Sequence, residues 1–276
     1  MTQLARDQVQ ARLKQLPSLP ASITDLLASF ADEDVDVERI ARQIARDQGL
    51  TARLLRVANS SFYGRQSRVG TVHEAVVILG FRAVRSTVLA VGMSGVFKVE
   101  HCPGFDSAAY LRHGAAVGLA ARGLAGLAGH NAELAFTGGI LHDIGQLVLA
   151  ASFPAQYAAA LACRRLRDCF MIEAEREVLG IDHAEVGGLL AETWRFPPEL
   201  HAAVAGHHAP DGSLADLIHL ADAVAHALGL ARSVDEMVMP IDPAAWQRLG
   251  LDAPKLAAVL PTIERDMEET CLAASY

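Results

Sequence analysis

The sequence predicts an all-α fold, and three observations carry that prediction. Apolar residues recur at helical spacing along nearly all of the 276 residues, alternating β-branched runs framed by turn signals are lacking, and residues suited to helix N-caps stand ahead of several periodic stretches.

Residues 3–16 predict a polar first helix that stops at Leu16-Pro17-Ser18-Leu19-Pro20, where the prolines bar continuation and Pro20 can open a second helix over 21–30. Asp32, Glu33, Asp34 and Asp36 form an acidic turn, with Asp36 the N-cap of VERIARQIARDQ, whose Val37, Ile40 and Ile44 share a face. A fourth helix runs after Gly49 through LTARLLRVANSS and exits near Gly64, a residue free to take the left-handed conformation. Thr71-Val72-His73-Glu74 reads as a capping box that starts AVVILG. From Phe81 to Phe97 the pattern is apolar almost all round, as in a buried helix. The chain breaks at His101-Cys102-Pro103-Gly104, which divides a first lobe, 1–100, from a second, 101–276. Longer Ala- and Gly-rich helices follow at about 106–129, 132–151, 154–165, 168–178, 183–194, 197–207, 214–229 and 253–272.

Composition narrows the function classes. Hydrophobic residues make up 51% of the chain and charged ones 20%, enough for a substantial core. The net charge of −8 offers no global basic field for a phosphate backbone, so nucleic acid is not an expected partner. The N-terminus lacks the pattern of a secretory signal, and no uninterrupted apolar run approaches the roughly 20 residues of a membrane span. A cytoplasmic address without a membrane is the expectation. Cys102, Cys163, Cys169 and Cys271 form no C-x-x-C pair, which argues against a disulfide framework or a thiolate zinc site.

Chemistry gathers in the second half. In LAFTGGILHDIGQLVL the apolar stripe of Ile140, Leu141, Ile144 and Leu147 is interrupted by His142 and Asp143, an ionisable pair that costs free energy unless it is paired or coordinated. Neighbours on a helix point about 100° apart and can flank one metal or address two. Asp182-His183-Ala184-Glu185 opens a helix as a capping box and fixes His183 in its first turn. HHAP places His207 and His208 at a helix end before Pro210, and Asp222 is an acid inside the apolar helix LIHLADAVAHALGL. Singly, each fits a cap or a satisfied core polar group. With His113 they form an ordered series of imidazoles and carboxylates suited to a divalent transition metal. His219, Asp222 and His226 share one helix face, so a hydrogen-bond ladder there is an open alternative. His73, His101, His130 and His201 show no partner pattern.

These residues resemble the HD superfamily of metal-dependent phosphohydrolases, and within it the HDOD domain, an HD-related output domain of bacterial signalling. The resemblance runs from about Leu16 to Leu230. LPSLP, IARDQGLTARLLRVANSSFYG and TVHEAVVILG are similar to the opening run of HDOD domains. HGAAVGLA, LHDIGQLVL, GIDHAEVGGLLAETWRFPPEL and HHAP are similar both to HDOD and to the HD-GYP cyclic-di-GMP phosphodiesterases. The implied fold is a two-lobed helical HDOD domain with an HD-like second lobe, and the implied metal ligands are His113, His142, Asp143, His183, His207, His208 and Asp222. The chain departs from the enzymes in three places. An alanine follows His208 with no Gly-Tyr-Pro signature, Gln146 stands where the enzymes carry lysine, and Ala109 stands where they carry a glutamate. Such a set holds one metal well and two with difficulty, and its histidine-rich character suits iron, manganese or zinc.

The resemblance implies a non-catalytic signalling module that binds a protein partner or a nucleotide second messenger. A metal-dependent nucleotide or cyclic-dinucleotide phosphodiesterase is the alternative, with Asp143 orienting or deprotonating the attacking water. A third reading is a metal or redox sensor, in which metal binding pins the second lobe's helices.

Overall fold

The computed structural model describes residues 3–17, 19–29, 36–59, 69–94, 97, 99, 101–231 and 236–274, and every regular element among them is a helix. In chain order these are α1 (Arg6–Leu13), α2 (Ala21–Ala28), α3 (Val37–Arg46), α4 (Gln48–Ala58), α5 (Val72–Leu79) and α6 (Phe81–Ser94). The second half adds α7 (Ser107–Ala125), α8 (Ala132–Leu141), α9 (Ile144–Ser152), α10 (Pro154–Arg167), α11 (Met171–Leu179), α12 (His183–Thr193), α13 (Pro198–Gly206), α14 (Ser213–Ala227), α15 (Pro243–Leu249) and α16 (Ala253–Ala274).

Local chemistry sets the starts. The Asp36 carboxylate accepts from Arg39 N–H at 2.8 Å. Thr71 and Glu74 form the reciprocal box that the sequence predicts: Glu74 N–H donates to Thr71 Oγ1 at 3.0 Å and Thr71 N–H donates to Glu74 Oε2 at 3.2 Å. Asp106 and Asn131 cap α7 and α8 from one side only, each side chain accepting from two backbone N–H groups of the first turn. Asp182 accepts from Glu185 N–H at 2.9 Å, but Glu185 faces Arg6 rather than turning back, so α12 has a one-sided cap where a full box was expected.

Several boundaries differ from expectation. The predicted helix over 132–151 is two helices, because His142 and Asp143 form a turn between α8 and α9. The helix expected from 168 starts at Met171, since Asp168 takes the left-handed conformation (φ 51°) and closes α10. α15 was not anticipated, although Asp242-Pro243 supplies a cap followed by a first-turn proline. The acidic residues 32–34 and the exit at Gly64 lie outside the described residues. One stretch, Ala132–Ser152, is by length and composition apolar enough to cross a membrane, although Glu133, His142, Asp143 and Gln146 interrupt it, so that it is not the unbroken apolar run whose absence the sequence shows. That window is 72% buried and belongs to the core.

The buried apolar side chains form one continuous cluster from Leu4 to Met267, which both halves of the chain share. α6 packs on α8, α1 lies against α12, and ahead of α1 the Leu4 N–H donates to the carbonyl of Leu179 at the end of α11 at 2.7 Å. α7 is the axis of the second half, packed by α8, α14 and α16. Two close approaches need glycine. Gly139 of α8 meets the backbone of Gly118 on α7, where a Cβ would fall 2.6 Å from Cα, and Gly145 of α9 meets the backbone of His183 and Gly187 on α12.

Candidate metal centre

Those two approaches bring the His/Asp series together. His113 comes from the middle of α7, His142 and Asp143 from the turn between α8 and α9, and His183 from the first position of α12. His207 and His208 follow the last residue of α13, and Asp222 comes from α14. The two paired motifs use one device. The His142 ring donates from Nδ1 to Gly139 O at 2.7 Å and the His207 ring from Nδ1 to Val204 O at 2.9 Å. Each ring thereby takes the carbonyl three residues back that a continuing helix would pair with its next amide. Both helices end there, and both rings are fixed in orientation.

All seven sequence-predicted residues converge, with the Asp143 carboxylate at the middle. Its Oδ2 lies 3.5 Å from His142 Nε2 and 3.7 Å from His113 Nε2, and its Oδ1 lies 3.1 Å from His183 Nε2 and 3.6 Å from His207 Nε2. On the first side Asp222 Oδ1 approaches His113 Nε2 at 3.2 Å and His142 Nε2 at 3.9 Å. On the second, His183 Nε2 is 3.3 Å from His207 Nε2 and 2.9 Å from His208 Nε2. The donors therefore fall into three overlapping groups, His113 with His142 and Asp143, His113 with Asp222 and His226, and Asp143 with His183, His207 and His208, each within 4.8 Å.

A carbonyl only accepts, so the Nδ1 atoms of His142 and His207 carry a proton and both rings turn Nε2 inward. His183 is set by Glu175, a fully buried acid on α11 that accepts from both His183 N–H (2.8 Å) and Nδ1–H (2.6 Å). Electrostatics follow this layout. Burial lowers the pKa of His142 to about 4, so this ring is neutral near pH 7. Burial and the nearby His207 and His183 likewise hold His208 down. Burial alone would lower His183 too, but the carboxylates of Glu175 and Asp143 outweigh it and raise the pKa well above the ordinary value. Burial would raise Asp143 and Asp222, and the surrounding imidazoles pull both well below the usual carboxylate range. Asp222 Oδ1 and His208 Nδ1 are buried without a hydrogen bond. Inward Nε2 atoms beside ionised carboxylates form a donor set that suits a cation, whose binding would displace the protons that the carboxylates hold on His113 and His183.

Sequence reasoning missed Glu175, and it named His226, His219 and Gln146 without placing them against the ligands. Glu175 was legible only as an acid on the apolar face of MIEAEREVL. His226, noticed as part of a ladder, stands 3.4 Å from Asp222 Oδ1 and pairs with Glu236. His219 has both ring nitrogens engaged, Nδ1–H with His207 O at 2.7 Å and Nε2 with Asp242 N–H at 2.9 Å. Gln146 donates to Asp143 Oδ2 at 2.7 Å. A cavity of about 180 Å³ opens over the centre, and Ala109, Tyr110, Gln146, Arg164, Arg165 and Phe170 are among its lining residues. The two arginines come from the run CRRLRD, which the sequence reading left without a role.

Comparison with known proteins matches this architecture. The family model described as HDOD domain matches residues 16–210. A solved structure from Shewanella amazonensis SB2B, provisionally named a phosphohydrolase, is 30% identical with a TM-score of 0.75, over 96% of this chain and 98% of that one. The structure of an HDOD domain protein of unknown function from Geobacter sulfurreducens superposes with a TM-score of 0.79 at 21% identity, over 96% and 99% of the two chains. An uncharacterized protein of Treponema pallidum (strain Nichols) is 26% identical over 200 residues, which are 71% of this chain and 38% of that relative. The chain thus spans well under half the length of that relative.

Proposed function

Because the chain belongs to the HDOD domain family, we propose that it is a cytoplasmic signal-transduction output module that acts by binding a protein partner or a nucleotide signal and keeps an HD-type metal centre. The observation that carries the metal reading is the convergence of Nε2 atoms on the two oxygens of Asp143. His113, His142, Asp143 and Asp222 would hold one divalent ion, and Asp143, His183, His207 and His208 a second. Iron, manganese or zinc suits this nitrogen-rich set. A bound ion there supplies Lewis acidity and a fixed positive charge for an anionic ligand.

The chain's own residues favour binding over turnover. Gln146 engages Asp143 Oδ2 with a neutral amide, so the carboxylate oxygen that could orient a water is already hydrogen-bonded, and no ammonium stands beside it. Ala109, at the cavity wall one turn before His113, offers neither donor nor charge. The ring anchors and the buried Glu175 hold the donors without substrate, a preorganised centre whose occupancy can bias the helices around it.

Elemental analysis of protein purified without chelator or a metal-affinity tag tests the metal reading, with iron, manganese or zinc expected in the native protein. An assay with added Mn²⁺ or Fe²⁺ on cyclic di-GMP and p-nitrophenyl phosphate tests the rest, with no sustained hydrolysis expected. The second reading, a metal-dependent phosphohydrolase, is favoured by Arg164 and Arg165 lining the cavity over the centre. Turnover at low enzyme concentration that is lost in Asp143→Asn would replace the first reading by this one.

A further inference from the structure

His219 and His226 lie on the same helix, α14, and flank Asp222, yet they are held in opposite ways. His219 spends both ring nitrogens on backbone partners, His207 O and Asp242 N–H. His226 spends only Nδ1, whose proton goes to Glu236 Oε1 at 2.9 Å, because a carboxylate can only accept. This turns Nε2 toward the centre, 3.4 Å from Asp222 Oδ1, while the ring stacks on His113 with centroids 4.7 Å apart. A carboxylate behind an imidazole, fixing its tautomer and raising its basicity, is the arrangement of a histidine ligand. His113, Asp222 and His226 each place a donor atom within 4.8 Å of the other two. Asp222 Oδ1, the oxygen these histidines face, is buried and makes no hydrogen bond.

We propose that His226 is an eighth metal ligand, held by Glu236, and that it completes the half-site of His113, His142, Asp143 and Asp222. This rests on the metal reading above. It answers the difficulty of a second ion in a carboxylate-poor set, since the first half-site then offers three imidazoles and two carboxylates. Five donors exceed the four of a tetrahedral zinc site and suit iron or manganese, whereas His183, His207, His208 and Asp143 form a four-donor set compatible with zinc. The competing role for His226 is a bridge between Asp222 and Glu236 that never meets metal.

Full-length protein, His226→Ala, His226→Gln and His208→Ala are titrated with Co²⁺ by competition with a chromophoric chelator, and the visible cobalt spectrum is recorded. Wild type is expected to bind two equivalents. Both His226 variants are expected to weaken one of them by about tenfold or more and alter its ligand-field bands, while His208→Ala weakens the other. Circular dichroism checks folding, and His226→Gln, which keeps much of the side chain's bulk and a hydrogen-bonding end, decides the matter if the alanine variant unfolds. Two equivalents at wild-type affinity with unchanged bands in the His226 variants overturn the assignment and leave the bridge. A wild-type chain that binds no cobalt, manganese, iron or zinc overturns the metal reading, and this assignment with it.

Discussion

Glu175 is fully buried and accepts twice from one residue, the backbone N–H and the ring Nδ1–H of His183. Glu175→Gln keeps the shape but loses the charge that fixes the ring, so affinity for the second half-site's ion should fall by roughly 10–100-fold in a competition titration. His219→Ala makes the complementary case. It removes the link from His207 O to Asp242 N–H and should cost about 1–3 kcal/mol in urea denaturation, with the metal stoichiometry unchanged. The principal donors were legible as residues because an acid or imidazole inside an apolar stripe demands an explanation. Their partners were not. Glu175 meets His183 only because the turn that opens at Gly180 (φ 75°) brings the first residue of α12 back to α11, a geometry that no spacing in the sequence announces.

At the scale of elements, the turn between α8 and α9 shows what the sequence concealed. Neither proline nor glycine marks positions 142 and 143, and the apolar spacing resumes in register at Ile144 and Leu147 after the two polar residues. The break comes from the His142 ring taking the Gly139 carbonyl, a side-chain competition that periodicity does not register. The caps at Asp36 and Thr71, by contrast, were readable because their partners lie three residues away. The turn is held against α12 by Gly145. A methyl group there would press on the backbone of His183 and Gly187, which cannot rotate away as a side chain would. Gly145→Ala should therefore cost about 1–3 kcal/mol or more in chemical denaturation and lower the metal content, by moving Asp143 off His183. Gly126→Ala, where nothing lies within 4 Å of the new methyl and φ is −63°, is the control and should change stability by less than about 1 kcal/mol.

For the whole molecule, one core joins both halves, and the proposed ligands come from α7, α12 and α14, from the turn between α8 and α9, and from the end of α13. An ion bound only by the folded chain stabilises all of it. At a free concentration one hundred times its Kd each independent site should add about 2.7 kcal/mol, read as a rise in Tm that a chelator reverses. The same joining has a spectroscopic use. His183 opens α12, and Trp194 sits at that helix's far end with its ring 5.8 Å from Phe97, three residues beyond α6. The chain has two tryptophans, so Trp246→Phe leaves Trp194 as the single tryptophan, excited selectively over the four tyrosines at the red edge of absorption. Its emission would report at one seam whether an event at the other end of α12 has reached the first half of the protein.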